Sequence, residues 1–531
     1  MGKNIISLND LILLLKKRPL IPSLTLILAF LISSGWNNYL HHDDYFLQVF
    51  DNNLRCSAHP QYVYYMEYIG RPLGIHFKCL IGVFIHKVFH SAIPIRLFLA
   101  SLLSSITSIF YYLSTDFLKK DNKYDYTKEL LISLFSVSFF ALSSSITFLA
   151  HSTILIITFF AAIYTFFFCQ LYQTNYANQK SKFFKITVLI SIYSVIALTT
   201  YQPAIVYLLI PHVFIILNSL FKEGNFSRII ENKIAFFQSI TQLIFGFSIA
   251  MIPYLIYLKI GGIKDSSPIP FGTIINRYIQ IIKLSPYAIS FEPIFGILIA
   301  SVIICSLLIS YRDKISLKSI ISSKNSTKLF IFILILATYF FAGAFPTAAV
   351  NYPILIRTFF YLFPLLLIIF TLTIDKNKKT FINLSLITLL SINSILSYLP
   401  SREISSHSNF IESQLISQID NLSSALDKDD KAISNTLFFD LKDYNSKYCF
   451  QEKNKTNGDY LPPLPHSQDT QFSLIWFLNK IHLGDLAKKY QIISITENNK
   501  CWGGDCSKYS EDIEELRTKS ISRIYMTCPM R

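Results

Sequence analysis

KKRPLIPSLTLILAFLISSGW, residues 16–36, is the stretch whose reading decides the fold. Three basic residues, Lys16-Lys17-Arg18, precede a run that carries no charged side chain from Leu20 to Trp36. Similar apolar runs of about 17 to 25 residues recur as far as Tyr398, each long enough to cross a hydrocarbon layer of about 30 Å as a helix. The whole chain agrees with this first run. Its 531 residues are 52% apolar and only 15% charged, with a mean hydropathy of +0.42. That composition describes a polytopic membrane protein and excludes a secreted enzyme, a DNA-binding module and a disordered scaffold.

The net charge of +15 is unevenly placed. Residues 400–531 carry 16 Lys+Arg and 18 Asp+Glu, so the whole basic excess belongs to residues 1–399. A pI near 9.2 raises nucleic-acid binding, but there the bases cluster on one soluble face, whereas here they punctuate hydrophobic runs. They collect at Lys16–Arg18, Lys119–Lys128, Lys180–Lys185, Lys222–Lys233, Arg312–Lys328 and Lys376–Lys379. If all six clusters are cytoplasmic, the spans between them come in pairs.

Spans read near 20–36, 95–115, 129–149, 152–171, 184–200, 203–220, 234–258, 291–310, 329–345, 355–374 and 380–398. About eleven is an odd number, which puts the N-terminus inside and residues 400–531 outside. The run Ile75–His90 is interrupted by His76, Lys78, His86 and Lys87, and is expected to be an amphipathic helix at the outer interface. No small-x-small cleavage site precedes Trp36, so the first helix is expected to stay.

Three regions follow. A membrane domain spans 1–399, with a first outer loop at 37–93 that holds the interfacial helix and a second at 259–290. A tail spans 400–531. Helices are expected in the tail at 408–426, 472–483 and 510–519, and strands at 432–440, 490–496 and 522–527, so the tail reads as a small extracytoplasmic α/β domain. Its Cys449, Cys501, Cys506 and Cys528 form an even set, expected as two disulfides in an oxidising compartment. A zinc site would need a second short thiol pair beside Cys501 and Cys506, and none is present.

Acidic residues on the outer side are few: Asp43, Asp44, Asp51, Glu67, Asp265 and Glu292. Asp43-Asp44 lies seven residues beyond the first helix, close to the membrane face. Two adjacent carboxylates suit a general base with its partner, or a divalent-cation site, or simple solvation at a helix end. His41, His42, His59 and the histidines of 76–90 lack a paired ligand spacing and read as interface residues. Arg71, in Gly70-Arg71-Pro72-Leu73, opens the interfacial helix, where Pro as an early helical residue leaves backbone N–H groups available to an anion. Lys78 follows on the same helix, and Glu67 precedes Arg71 by one turn and can pair with it. Arg357 sits just inside the outer end of an apolar span. It reads as a snorkelling anchor or as a partner for a lipid phosphate. Tyr201-Gln202-Pro203 marks a tight outer turn, either as turn chemistry or as hydrogen-bonding groups for a sugar.

Asp-Asp-Tyr after an aromatic-rich helix end, Gly-Arg-Pro-Leu about 27 residues later, and Tyr-Gln at a later outer turn together resemble the phage-type serotype-converting glucosyltransferases of enteric bacteria. These look like members of the wider GT-C class of polytopic glycosyltransferases. The resemblance covers 1–399 in architecture and is motif-specific near 40–75 and 201–202. It implies a polyprenyl-phosphate-glucose donor at the outer leaflet of the bacterial inner membrane and an acceptor hydroxyl on lipopolysaccharide O-antigen. Asp43 and Asp44 match the acidic pair expected in the first outer loop, and Arg71 the arginine of the Gly-Arg-Pro element.

The chemistry fits without a cofactor. Arg71, Lys78 and Arg357 suit a phosphate leaving group, one Asp of the pair suits the acceptor's base, and a cation at the pair is not favoured. The expected partners are donor, acceptor and membrane lipid, with no nucleic acid. A lipid-linked oligosaccharide flippase fits less well, because the span centres are almost free of charge. An O-antigen polymerase or ligase is the remaining alternative; a polymerase would concentrate arginines in large outer loops.

Overall fold

The computed structural model describes residues 19–36, 71–89, 91–117, 125–147, 149–173, 179–214, 233–260, 270–290, 292–312, 323–348, 356–376, 383–399 and 402, and four short strands in the tail. Up to Leu399 the described residues are helical. Among the described residues three helices are long and apolar enough to cross a membrane: Ile93–Thr115, Ser152–Tyr172 and Ser181–Thr200. A fourth span is formed if Tyr126–Ser138 and Phe140–Thr147, which meet at 67°, are taken together. Shorter apolar helices include Leu20–Ile32, Pro72–Val83, Thr241–Tyr257, Pro293–Ile303, Thr358–Thr371 and Asn383–Leu399.

The first helix, Leu20–Ile32, ends in a Schellman-type cap. The Gly35 N–H bonds to the Phe30 carbonyl at 2.8 Å and the Ser34 N–H to Leu31 at 3.0 Å, which requires the left-handed φ of 49° at Ser34. This helix runs against Ile93–Tyr112, tied by the Ser104 hydroxyl to the Pro22 carbonyl at 2.7 Å. Helix Tyr126–Ser138 starts on Asp125, whose carboxylate accepts from the N–H groups of Thr127 and Lys128.

Polar side chains inside the apolar helices are largely satisfied locally. Thr107, Ser108, Ser114, Ser136, Thr158 and Thr165 each donate to the carbonyl four residues back. The core is mainly aliphatic, with aromatic pairs joining helices. Phe135 stacks on Phe370 at 4.7 Å and Phe139 meets Phe363 edge-on at 5.3 Å, joining the 126–138 and 362–376 helices.

Two features depart from the sequence expectation. The span read at 129–149 is not one straight helix: it breaks at Phe139, whose backbone is extended. The Asn393 amide donates to the Ser138 carbonyl freed by the break, at 3.2 Å, and to Ile289 at 3.0 Å. The loop read at 259–290 also contains a fourteen-residue helix, Phe271–Leu284, followed by a single turn at Pro286–Ile289. The Arg277 guanidinium donates to the Thr347 carbonyl at 2.9 Å and the Tyr278 hydroxyl to Phe341 at 3.0 Å, which ties that helix to the long Ser323–Ala348 helix. Loss of water there lowers the Arg277 pKa and raises that of Tyr278, each toward its neutral form.

In the tail, β1 (Thr436–Leu441), β2 (Gln491–Thr496), β3 (Cys501–Trp502) and β4 (Arg523–Tyr525) form one sheet in the order β3-β2-β1-β4. β1 pairs in parallel with both β2 and β4, and β3 is antiparallel to β2. Parallel neighbours need crossover connections. The helices expected at 408–426, 472–483 and 510–519 lie outside the described residues.

Candidate functional site

Four elements converge at one end of the bundle: the start of the Pro72–Val83 helix, the turn at Tyr201-Gln202, the later part of the Lys233–Ile260 helix, and the short 3-10 segment Ile356–Tyr361. Arg71 is the residue that caps the first of these, with Pro72 at the first helical position, so its backbone leaves the helix and its side chain is free to point along the end of the bundle. The Tyr201 N–H closes the preceding helix on the Ala197 carbonyl at 2.9 Å. Its own carbonyl accepts from Ala204 at 2.9 Å, and Pro203 fixes the turn.

The two turns meet. The Arg71 Nε donates to the Gln202 side-chain carbonyl, and the guanidinium carbon lies 4.6 Å from the centre of the Tyr201 ring. The Gln202 amide nitrogen in turn donates to the Tyr254 hydroxyl at 2.9 Å. Gly74, one turn beyond Arg71, is pressed against the Thr200 carbonyl: a Cβ there would lie 2.7 Å from it. The absence of a side chain at Gly74 thus lets the Pro72–Val83 helix sit directly on the turn. On the other side, the Tyr201 ring lies 5.4 Å from that of Phe360. Tyr207 holds the same segment, donating its hydroxyl to the Phe360 carbonyl at 3.1 Å.

This arrangement anchors one edge of a guanidinium and leaves its two terminal nitrogens without a hydrogen bond among the described residues. A planar fork held in this way suits a bidentate oxyanion such as phosphate. Arg71 is half-buried, as are Tyr201 and Gln202, so the cluster is accessible from the end of the bundle.

Of the residues singled out in the sequence, Arg71, Tyr201 and Gln202 are in direct contact. Lys78 follows Arg71 by seven positions, on the same side of the helix, and is half-buried. Arg357 lies in the 3-10 segment whose Phe360 packs on Tyr201; its side chain is outside the described part. Asp43, Asp44 and Glu67 lie outside the described residues, as do the side chains of Cys449, Cys501, Cys506 and Cys528. Among the described residues no group of three or more His, Cys, Asp or Glu side chains could hold a metal ion.

Three further residues were not singled out by the sequence, and of these Tyr254 belongs to this site. Tyr254 sits within an apolar helix and gives no local signal. Arg96 is wholly enclosed in the first turn of the Ile93–Tyr112 helix, where a lone arginine reads as one more residue of a span. Cys79, buried two turns beyond Arg71, is disulfide-bonded. Comparison of the chain with protein-family models, with characterised proteins and with solved structures found no match.

Proposed function

We propose that the chain is a membrane glycosyltransferase that moves a glucosyl residue from polyprenyl-phosphate-glucose to lipopolysaccharide O-antigen at the periplasmic face of the bacterial inner membrane. The observation that carries this reading is the contact of Arg71 with Tyr201 and Gln202. These residues come from two of the three motifs on which the family resemblance rests, and they lie 131 positions apart at the Arg71–Gln202 bond. A resemblance read from separated motifs gains weight when the motifs form one cluster.

In this reading the end of the bundle with Arg71 faces the periplasm, the membrane domain crosses the bilayer about eleven times, and residues 400–531 form a periplasmic α/β domain. Arg71, Lys78 and Arg357 hold the donor phosphate, and Gln202 with Tyr201 sets the guanidinium plane. The acceptor hydroxyl loses its proton to Asp43 or Asp44 as its oxygen attacks the anomeric carbon. The bond from that carbon to the phosphate oxygen breaks, and polyprenyl phosphate leaves with the electron pair. Direct displacement inverts the donor linkage. No cofactor is required.

The experiment is to express the chain in a host that carries O-antigen and to determine the sugar composition and linkage of the polymer, beside Asp43→Asn, Asp44→Asn and Arg71→Ala at matched membrane levels. A new glucosyl branch that disappears with one Asp variant supports the transferase and names its base. Unbranched polymer of altered length replaces this reading with a polymerase or ligase, and loss of surface polymer replaces it with a flippase.

A further inference from the structure

The Phe271–Leu284 helix divides into three arcs when its residues are placed at about 100° intervals. Ile274, Tyr278, Ile281 and Leu284 pack inward against the core. Thr273, Asn276, Gln280 and Lys283 form an exposed polar arc. Between them, Ile275, Ile279 and Ile282 lie within about 60° of arc and are 48%, 47% and 50% exposed. A helix on an aqueous surface would place polar residues in that arc, and a core helix would bury it.

The arc does not stand alone. The Tyr278 ring meets the Phe341 ring edge-on at 5.5 Å. Phe341 and Phe345 on the 323–348 helix are themselves about half exposed, in the largely apolar stretch 329–345 of that helix. The three isoleucines therefore extend an apolar surface that already belongs to the 323–348 helix. The contact geometry is also informative. Arg277 and Tyr278 are adjacent, yet they reach carbonyls at Thr347 and Phe341, about 9 Å apart along the longer helix. Two contacts spread in this way hold the shorter helix at separate points along the longer one.

We infer that the Phe271–Leu284 helix lies in the membrane interface, with Ile275, Ile279 and Ile282 buried among phospholipid chains and the arc from Thr273 to Lys283 facing water and headgroups. Its occupant is lipid, because the exposed apolar surface continues onto a helix built to meet lipid, and because a polar arc beside an apolar one is the pattern of a helix lying in an interface. Arg277 and Tyr278 hold the helix to the 323–348 helix. The inference depends on that longer helix lying in a bilayer and not on the transferase reading.

The test is site-specific photo-crosslinking of the full chain in native membranes whose phospholipids carry a phosphate label. A photoreactive residue is placed at Ile275, Ile279 or Ile282, at Asn276 or Gln280, and at Phe345 as the lipid-facing reference. The expected result is phospholipid adduct from the three isoleucine positions at about the level of Phe345 and about fivefold or more above the two polar positions. Equal labelling of the two arcs, or polypeptide adducts in place of lipid adducts at the isoleucines, would overturn the inference. The second pattern would assign the arc to a protein partner.

Discussion

The Arg71 guanidinium is bonded through Nε to the side-chain carbonyl of Gln202, 131 residues away, while lying on the face of Tyr201. The bond fixes the plane of the charge and not merely its position. A hydrogen bond to a charged group is worth about 1.5–3 kcal/mol. In the proposed reaction Arg71→Ala should therefore lower kcat/KM by roughly ten- to a hundredfold. Arg71→Lys keeps the charge but loses the Nε donor and the planar fork, so it should recover only part of the activity. Glucosyl transfer from a labelled polyprenyl-phosphate donor in isolated membranes measures this, and a fully active Lys variant would show that the fork geometry is not used.

Gly74 sets how closely the Pro72–Val83 helix approaches the Tyr201 turn. A methyl group there would meet the Thr200 carbonyl at 2.7 Å, and backbone cannot yield as a flexible side chain does. Gly74→Ala should destabilise the protein by about 1–3 kcal/mol. Gly272 is the control: nothing lies within 4 Å of its added methyl, and it stands near the start of a helix. Gly272→Ala should be neutral or stabilising by up to about 1 kcal/mol. Thermal unfolding of the two purified variants in detergent compares them, and a Gly74→Ala midpoint equal to that of Gly272→Ala would refute the close approach.

The sequence disclosed Arg71, Tyr201 and Gln202 because each stands within two residues of a proline at an element boundary, and polar residues at such boundaries between apolar runs are conspicuous. Strand positions in the tail were legible for a similar reason. Phe438, Phe439 and the Ile492–Ile495 stretch are β-branched or aromatic runs between polar segments, and they fall in β1 and β2. The break at Phe139 was not legible, since no proline or glycine lies near it and Ser138 to Phe140 continue an apolar run. What makes the break tolerable is an amide from the last helix, a contact across 255 residues that local pattern does not contain. Tyr254 and Arg96 give no local signal because each lies inside a mainly apolar helix among other scattered polar residues. The helix at 271–284 has isoleucines at helical spacing, but at fourteen residues it is too short to stand out as a span beside its longer neighbours.

Cys79 gives a measure of compartment. Its disulfide belongs in an oxidising environment, which matches the periplasmic side proposed for Arg71 two turns away. In denatured but unreduced protein Cys79 should resist alkylation, and after reduction it should be modified, as mass spectrometry of the corresponding peptide would show. Cys79→Ser should lower stability by about 2–4 kcal/mol. Alkylation of Cys79 without reduction would remove the bond and with it this support for the orientation.

Asn393 holds two chain ends at once. Its amide nitrogen donates to Ser138, where the 126–138 helix breaks off, and to Ile289, where the short turn after the Phe271–Leu284 helix ends. Asn393 is fully buried, so these carbonyls have no access to water if the amide is removed. Leaving a buried acceptor unsatisfied costs about 1–3 kcal/mol each. Asn393→Leu, close in size but without a donor, should therefore destabilise the protein by about 2–4 kcal/mol, and Asn393→Asp should be no better because the carboxylate supplies no donor when ionised. Asn393→Gln retains the amide and should fall between the variants and the native protein. Unfolding midpoints in detergent test the ranking. If Leu at this position is as stable as Asn, the break at Phe139 is held by packing of Phe139 against Phe363 and not by the amide.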